Sequence, residues 1–180
     1  MNTGMDERNK TLPIALTGAR RTKALREFKT QIKAWNLAMP PHEPLVLDFG
    51  LGDFARTGLI EYWIANEIEA GYCGKFLFVF DGQTCPTHLH RKKHETFFLV
   101  RGRLRVTFGD SVLNLKPGDC LPVAPGILHS FTGRGPALLL EISKPCLVAD
   151  NFFQNPAIPI GQNRKKGDLD KITRRKRAAQ

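Results

Sequence analysis

GQTCPTHLHRKKHETFFLVRG, residues 82–102, is the stretch on which the reading of this chain turns. His88 and His90 are two residues apart, and on a strand positions i and i+2 share a face. Glu95 follows the loop RKKH and opens an apolar run, so a hairpin return is expected to bring it beside the two histidines. A third histidine, His129 in ILHSF, follows the turn Pro125-Gly126 and is expected to reach the same point from a neighbouring strand. Three imidazoles and a carboxylate suit a divalent transition metal, with coordination positions left for water or substrate. His42 and His94 read as surface residues, His94 facing outward from the loop between ligands. Cys85 reads as a small buried strand residue rather than a ligand.

Outward from this stretch the texture is β. KFLFVF (75–80) is a near-continuous apolar run, as in a strand buried on both faces. ETFFLVRG, RLRVTFG, SVLNLKPGD, DCLPVAPG, ILHSFTG and PALLLEIS follow, divided by Gly102, Gly109-Asp110 and Pro117-Gly118. Short strands with turn signals at near-regular spacing predict an all-β antiparallel fold closed as a double-sheet jelly roll. Before it, Leu25, Phe28, Ile32 and Trp35 fall at helical spacing, with Thr22 as the expected N-cap and Pro40-Pro41 as the stop. This amphipathic helix is expected to lay its apolar stripe on the barrel or on a partner subunit. The chain divides into a flexible arm (1–21), a helix and linker (22–44), the barrel (45–160) and a basic, disordered tail (161–180).

The chain has 180 residues and a net charge of +10. Residues 1–33 hold eight Lys/Arg against three Asp/Glu, and residues 161–180 eight against two. The basicity therefore belongs to the ends, and the barrel is nearly neutral. The basic tail lacks interleaved aromatics, so nucleic-acid binding is not expected. No apolar run approaches the roughly 18 residues that cross a bilayer, and no export signal opens the chain, so a cytoplasmic protein without a membrane partner is expected. The four cysteines form no CxxC pair, and no disulfide framework is expected.

Gly82, His88, His90, Glu95 and Gly102 match, at every spacing, the first motif of the cupin superfamily, which the chain resembles. Gly118, Gly126 and His129 fit the second motif, with two departures. The proline stands one place late, at Pro125, and Gly133 replaces a common asparagine. DFGLGDFARTGL, the GQTCPTHLH segment and EISKPCLVADNFF narrow the resemblance to the D-lyxose ketol-isomerase family, over roughly residues 46–160. That resemblance implies a cupin-type double-stranded β-helix and a sugar substrate. It also implies metal-assisted interconversion of D-lyxose and D-xylulose, with D-mannose and D-fructose as a second pair. Manganese is the first metal expected, and Co, Fe, Ni or Zn suit the same ligands. A homodimer is expected.

Such chemistry needs a base and a proton donor beside the metal. Glu141 follows ALLL on a late strand, where a carboxylate is out of place unless it faces a polar interior. Burial is expected to raise its pKa toward neutrality. Pairing with an arginine is its structural alternative. Lys93, and less so Lys92, is within reach of a substrate oxygen, although a loop lysine more commonly faces solvent. Asp150 is suited to orienting a sugar hydroxyl or anchoring the closing segment. Arg101, Arg103 and Arg105 alternate along one strand face and would suit the anion of a phosphorylated sugar, although a solvent-facing strand is the commoner place for them. A hydride shift without a base, an Fe(II) oxygenase and a non-enzymatic sugar- or metabolite-binding cupin stand as alternatives.

Overall fold

The computed structural model describes residues 3–161. Eleven strands among them form two antiparallel sheets. Their ranges are β1 (Leu45–Leu47), β2 (Leu59–Glu67), β3 (Tyr72–Val79), β4 (Thr84–Leu89), β5 (Glu95–Arg101), β6 (Leu104–Phe108), β7 (Ser111–Leu115), β8 (Cys120–Val123), β9 (His129–Gly133), β10 (Ala137–Ser143) and β11 (Phe152–Phe153). The six-stranded sheet runs β1-β2-β3-β10-β5-β8 and the five-stranded sheet β11-β4-β9-β6-β7. This is the expected jelly roll. The inner faces supply the main core, including Leu77, Leu99, Val106, Phe131 and Leu139.

One expectation is corrected by the topology. β4, which carries His88, and β5, which begins at Glu95, do not pair as a hairpin. They lie in opposite sheets. The loop between them crosses the barrel, so histidines and glutamate approach each other from facing walls. Arg101 and Arg105 are separated in the same way, one at the end of β5 and the other on β6. With Arg103 in the turn between them, all three are exposed and share no strand face.

The helix is longer at its start than its periodicity suggested. It is preceded by α1 (Gly4–Asn9) and so becomes α2, spanning Gly18–Ala34 with Thr17 at the N-cap. Thr22 lies inside it and donates its hydroxyl to the carbonyl of Gly18, so the cap sits one turn earlier. Asn36 ends it in the left-handed conformation, φ 53°, before the proline pair is reached. Ala24, Leu25, Phe28 and Ile32 bury against Val46, Ile60, Tyr62, Phe78 and Leu138 on the outer face of the six-stranded sheet. The apolar stripe therefore covers the barrel itself.

Residues 3–16 are not a loose arm. Thr3 and Asp6 form a reciprocal capping box on α1. Glu7 is buried and accepts the amide of Val148 at 2.7 Å, while Ile14 enters the main core. The expected basic tail lies outside the described residues beyond Gly161. No helix among the described residues is long and apolar enough to cross a membrane.

The two glycines that bound the opening stretch serve different purposes. Both have positive φ, 70° at Gly82 and 83° at Gly102. A Cβ on Gly82 would meet nothing within 4 Å, whereas one on Gly102 would collide with the Pro136 carbonyl oxygen and lie 2.7 Å from the Ala137 Cα. The absence of the second-motif asparagine has a similar cause, since a Cβ at Gly133 would strike the Phe80 carbonyl oxygen. Gly82→Ala should cost about 1–2 kcal/mol, the left-handed penalty alone. Gly102→Ala should cost visibly more, because the β10 backbone must also move. Chemical denaturation of the two variants measures the difference, and equal losses would remove the steric account.

Candidate metal centre

His88 is the last residue but one of β4, His90 follows the strand, and His129 opens β9, where it is paired in register with His88. Glu95 comes from β5 on the facing sheet. All four are buried, and one ligand atom from each lies within 4.8 Å of all the others. Donors about 2.1 Å from one ion would sit in that range.

The hydrogen bonds fix what these side chains present. His88 Nδ1 donates to the Pro86 carbonyl at 2.8 Å, His90 Nδ1 to Asp150 at 3.0 Å, and His129 Nδ1 to Ile127 at 3.0 Å. A carbonyl oxygen only accepts, so each Nδ1 carries a proton, and in the neutral ring each Nε2 is a bare lone pair. His90 Nε2, His129 Nε2 and Glu95 Oε1 have no hydrogen-bond partner. His129 Nε2 and Glu95 Oε1 lie 2.8 Å apart, and with the ring neutral, as ligation requires, neither has a proton to share. Buried acceptors facing one another are costly unless a cation lies among them. The residues therefore fit a divalent metal, and the backbone carbonyls behind them are the outer partners that orient ligating imidazoles.

Burial pushes the His88 imidazole down to about 3, helped by neighbouring His129, and holds His90 well below its ordinary value, helped by Lys93. Both are thus neutral and ready to ligate at neutral pH. Asp150 supports them from the closing segment. Its carboxylate accepts the amides of Arg91, Lys92 and Lys93, and its carbonyl accepts the hydrogen bond from His90 Nδ1. It anchors the closing segment to the ligand loop, one of the two roles expected of it.

Beyond Glu95 runs a chain of buried charges. Lys93 Nζ bridges Glu95 Oε2 at 2.6 Å and Glu141 Oε1 at 2.9 Å. Lys75 Nζ lies 3.4 Å from Glu141 Oε2 and 3.6 Å from Glu61 Oε1. Ser143 donates its hydroxyl to Glu141 Oε1 at 2.9 Å. Three carboxylates against two ammonium groups leave one negative charge in excess, which favours a bound cation.

Lys93 is buried, contrary to the solvent-facing position usual for a loop lysine, because the Asp150 carboxylate folds the loop inward. Lys92 and His94 are exposed, as expected. Glu141 does face a polar interior, but its partners are lysines rather than an arginine. The expected rise in its pKa is corrected. Burial alone pushes it up, yet Lys75 and Lys93 outweigh burial and hold the carboxyl well below the usual range. Cys85 is buried and belongs to no metal-ligating group among the described residues.

A cavity is lined by His88, Glu95, Lys93 and Glu141, and also by Lys75 and Trp63. Sequence reasoning missed Glu61, Trp63 and Lys75. A signal existed, since a lysine opening the apolar run KFLFVF and a glutamate inside LIEYW need buried partners. Which partners they find depends on cross-strand register.

Two sequence profiles match the chain, one for a cupin domain over residues 77–143 and one for D-lyxose isomerase over 45–106. The D-lyxose/D-mannose isomerase of Thermosediminibacter oceani is 31% identical over 158 residues, covering 71% of this chain and 86% of that protein. The chain belongs to the D-lyxose isomerase family. Another member, the D-lyxose ketol-isomerase of Cohnella laeviribosi, is 32% identical over 142 residues, covering 63% and 76% of the two chains. The L-ribose isomerase of Geodermatophilus obscurus shares the fold at TM-score 0.68 and 16% identity, covering 81% of this chain and 95% of that one. That of Cellulomonas parahominis aligns at TM-score 0.67 and 18% identity over the same shares. The fold shared with these two structures thus reaches beyond the two matched segments to most of the described chain.

The depressed histidines predict a pH dependence in the metal-free protein. An unfolded histidine takes up a proton near pH 6.5, while folded His88 resists until about 3. Stability is therefore full above about 6.5 and lost as pH falls toward 3. Glu95 and Glu141, both held low in the folded state, act in the same direction below about 4.5. The thermal midpoint of chelated protein should fall steadily from pH 7 to pH 4. A flat profile would contradict the burial argument.

Proposed function

We propose that this protein is a metal-dependent aldose–ketose isomerase interconverting D-lyxose and D-xylulose, with D-mannose and D-fructose as a second pair. His88, His90, Glu95 and His129 would hold the metal, manganese first among the divalent ions that suit them. When bound, the metal supplies Lewis acidity that polarises the sugar carbonyl. The observation that carries the reading is the buried bridge Glu95–Lys93–Glu141, which sets a carboxylate and an ammonium side by side next to the ligand set. The relatives named D-lyxose isomerases support the substrate class and favour neither an oxygenase nor a binding module.

Glu141 and Lys93 are the pair to which we give the proton chemistry. With Lys75 and Lys93 beside it, Glu141 alone is a weak base. A proton taken by Glu141 must be matched by one released from Lys93, so that the pair changes from ionic to neutral without net charge. In that scheme Glu141 removes the proton from C2 of the aldose while Lys93 gives its proton to the C1 oxygen, leaving a neutral enediol. Lys93 then recovers a proton from the C2 hydroxyl as Glu141 returns one to C1, and the ketose results. Ser143 holds the Glu141 carboxylate in place throughout.

The cavity measures about 60 Å³, room for a few waters and less than an aldose needs. Thr11 and Ile14 of the amino-terminal segment and Val148, Asn151 and Ile160 of the closing segment line it. Sugar must enter by displacing one of these covers. The exposed Ile64, Phe98 and Ile142 on the outer face of the six-stranded sheet support the homodimer expected from sequence. A monomeric mass by light scattering would remove that part of the proposal.

Chelated protein reloaded with Mn, Co, Fe, Ni or Zn in turn should convert D-lyxose to a ketose with at least one of them. Glu141→Gln should lower turnover by about 10²–10⁴-fold with metal content unchanged. Deuterium on carbon after reaction in D₂O would mark exchange at Glu141 and exclude a hydride shift. Full activity in Glu141→Gln would sink the proton-transfer scheme.

A further inference from the structure

The inner face of β2 places Trp63 on the wall of the same cavity. Its indole Nε1 is buried and has no acceptor among the described residues. An indole N–H can only donate, and buried donors without a partner are rare enough to need a reason. The ring is held in place. Lys75 Nζ sits 5.3 Å from its centroid, and the β2–β3 ladder shifts register between Trp63 and Ala65, an irregularity of the kind that re-aims a side chain.

Register gives the donor its position relative to the reaction. Trp63 pairs with Lys75, Lys75 with Glu141, and Glu141 with Phe97, so the four form one row across the inner face. Trp63 and Glu141 are two strands apart, about 10 Å. An aldose whose C1–C2 end lies at Glu141 and Lys93 would extend its other end along this row toward the indole. Lys75, between them, is engaged by Glu61 and Glu141, which leaves Trp63 as the unengaged donor of the row.

We propose that the buried indole N–H of Trp63 is a specificity-determining donor to a hydroxyl at the end of the aldose remote from the reacting carbons. The inference rests on the isomerase reading for which end of the sugar reacts. It assigns Trp63 to recognition and gives it no part in the chemical step. A site that hydrogen-bonds a hydroxyl discriminates against the analogue lacking it, because the protein's own polar group is then left unpaired.

The test uses full-length, metal-loaded protein, with calorimetric binding and steady-state kinetics for D-lyxose, D-mannose and L-ribose, and for 4-deoxy- and 5-deoxy-D-lyxose. Trp63→Phe keeps a ring and removes the N–H. It should raise Kd and KM for D-lyxose about tenfold with little change in kcat and none in metal content. One deoxy sugar should bind wild type about tenfold more weakly than D-lyxose does, and should bind wild type and Trp63→Phe equally. Independently of the variant, ¹⁵N-labelled indole spectra contain only Trp35 and Trp63, and D-lyxose should move the Trp63 N–H resonance but not the deoxy sugar that lacks the partner hydroxyl. Unchanged D-lyxose affinity in Trp63→Phe, losses that multiply for both deoxy sugars, or an indole resonance indifferent to sugar would overturn the inference. Trp63-dependent binding without conversion of any sugar would overturn the isomerase reading and leave the donor role standing. No binding of any of these sugars to wild type would overturn both.

Discussion

Three imidazoles with their Nδ1 protons tied to backbone carbonyls point bare nitrogen lone pairs at one place inside the barrel, beside a carboxylate that is itself short of a donor. The rest of the site follows from satisfying that arrangement. The carbonyls come from Pro86 within β4, Ile127 in the turn before β9 and Asp150 just before β11. All three strands belong to the five-stranded sheet, and the third segment also closes the barrel. Orienting the ligands thus requires the whole fold to be in place.

The charges beyond the ligands make poor sense as stabilisers. Buried ion pairs gain little over well-packed apolar side chains, because desolvation offsets their attraction. Here five ionisable groups, Glu61, Lys75, Lys93, Glu95 and Glu141, occupy an interior otherwise filled by Leu, Val and Phe. An arrangement that contributes little to folding is better understood as machinery. The closeness of Lys93 to both Glu95 and Glu141 makes it the link between the candidate ligand set and the carboxylate to which we give the proton chemistry. Lys75 then keeps Glu141 ionised from the other side.

Much of this was legible in the sequence because it is local. The two-residue period puts His88 and His90 on one face, the motif spacing selects Glu95 and His129, and the interleaved turn signals predict the strands. The odd carboxylate after ALLL marked Glu141. Other features were not legible because they depend on partners far away in the chain. The pKa of Glu141 was expected to rise, since only its burial could be inferred. Its fall comes from Lys75 and Lys93, brought there by register and by the inward fold of the RKKH loop on Asp150. The start of α2 was misplaced by a turn because Thr17 and Thr22 are equally good caps in isolation, and residues 3–16 read as an arm because Glu7 and Ile14 find their partners only on the finished barrel.

By itself the sequence determined the candidate ligand types and their spacing, the alternation of strands and turns, and the left-handed turn at Gly82, since all of these follow from covalent spacing and local backbone geometry. Tertiary structure alone decided that Glu95 faces the histidines from the opposite sheet, that Lys93 is buried, and that Trp63, Lys75 and Glu141 share a row. Pairing between strands is a non-local choice, made by the burial of whole sheet faces, and no window of sequence contains it.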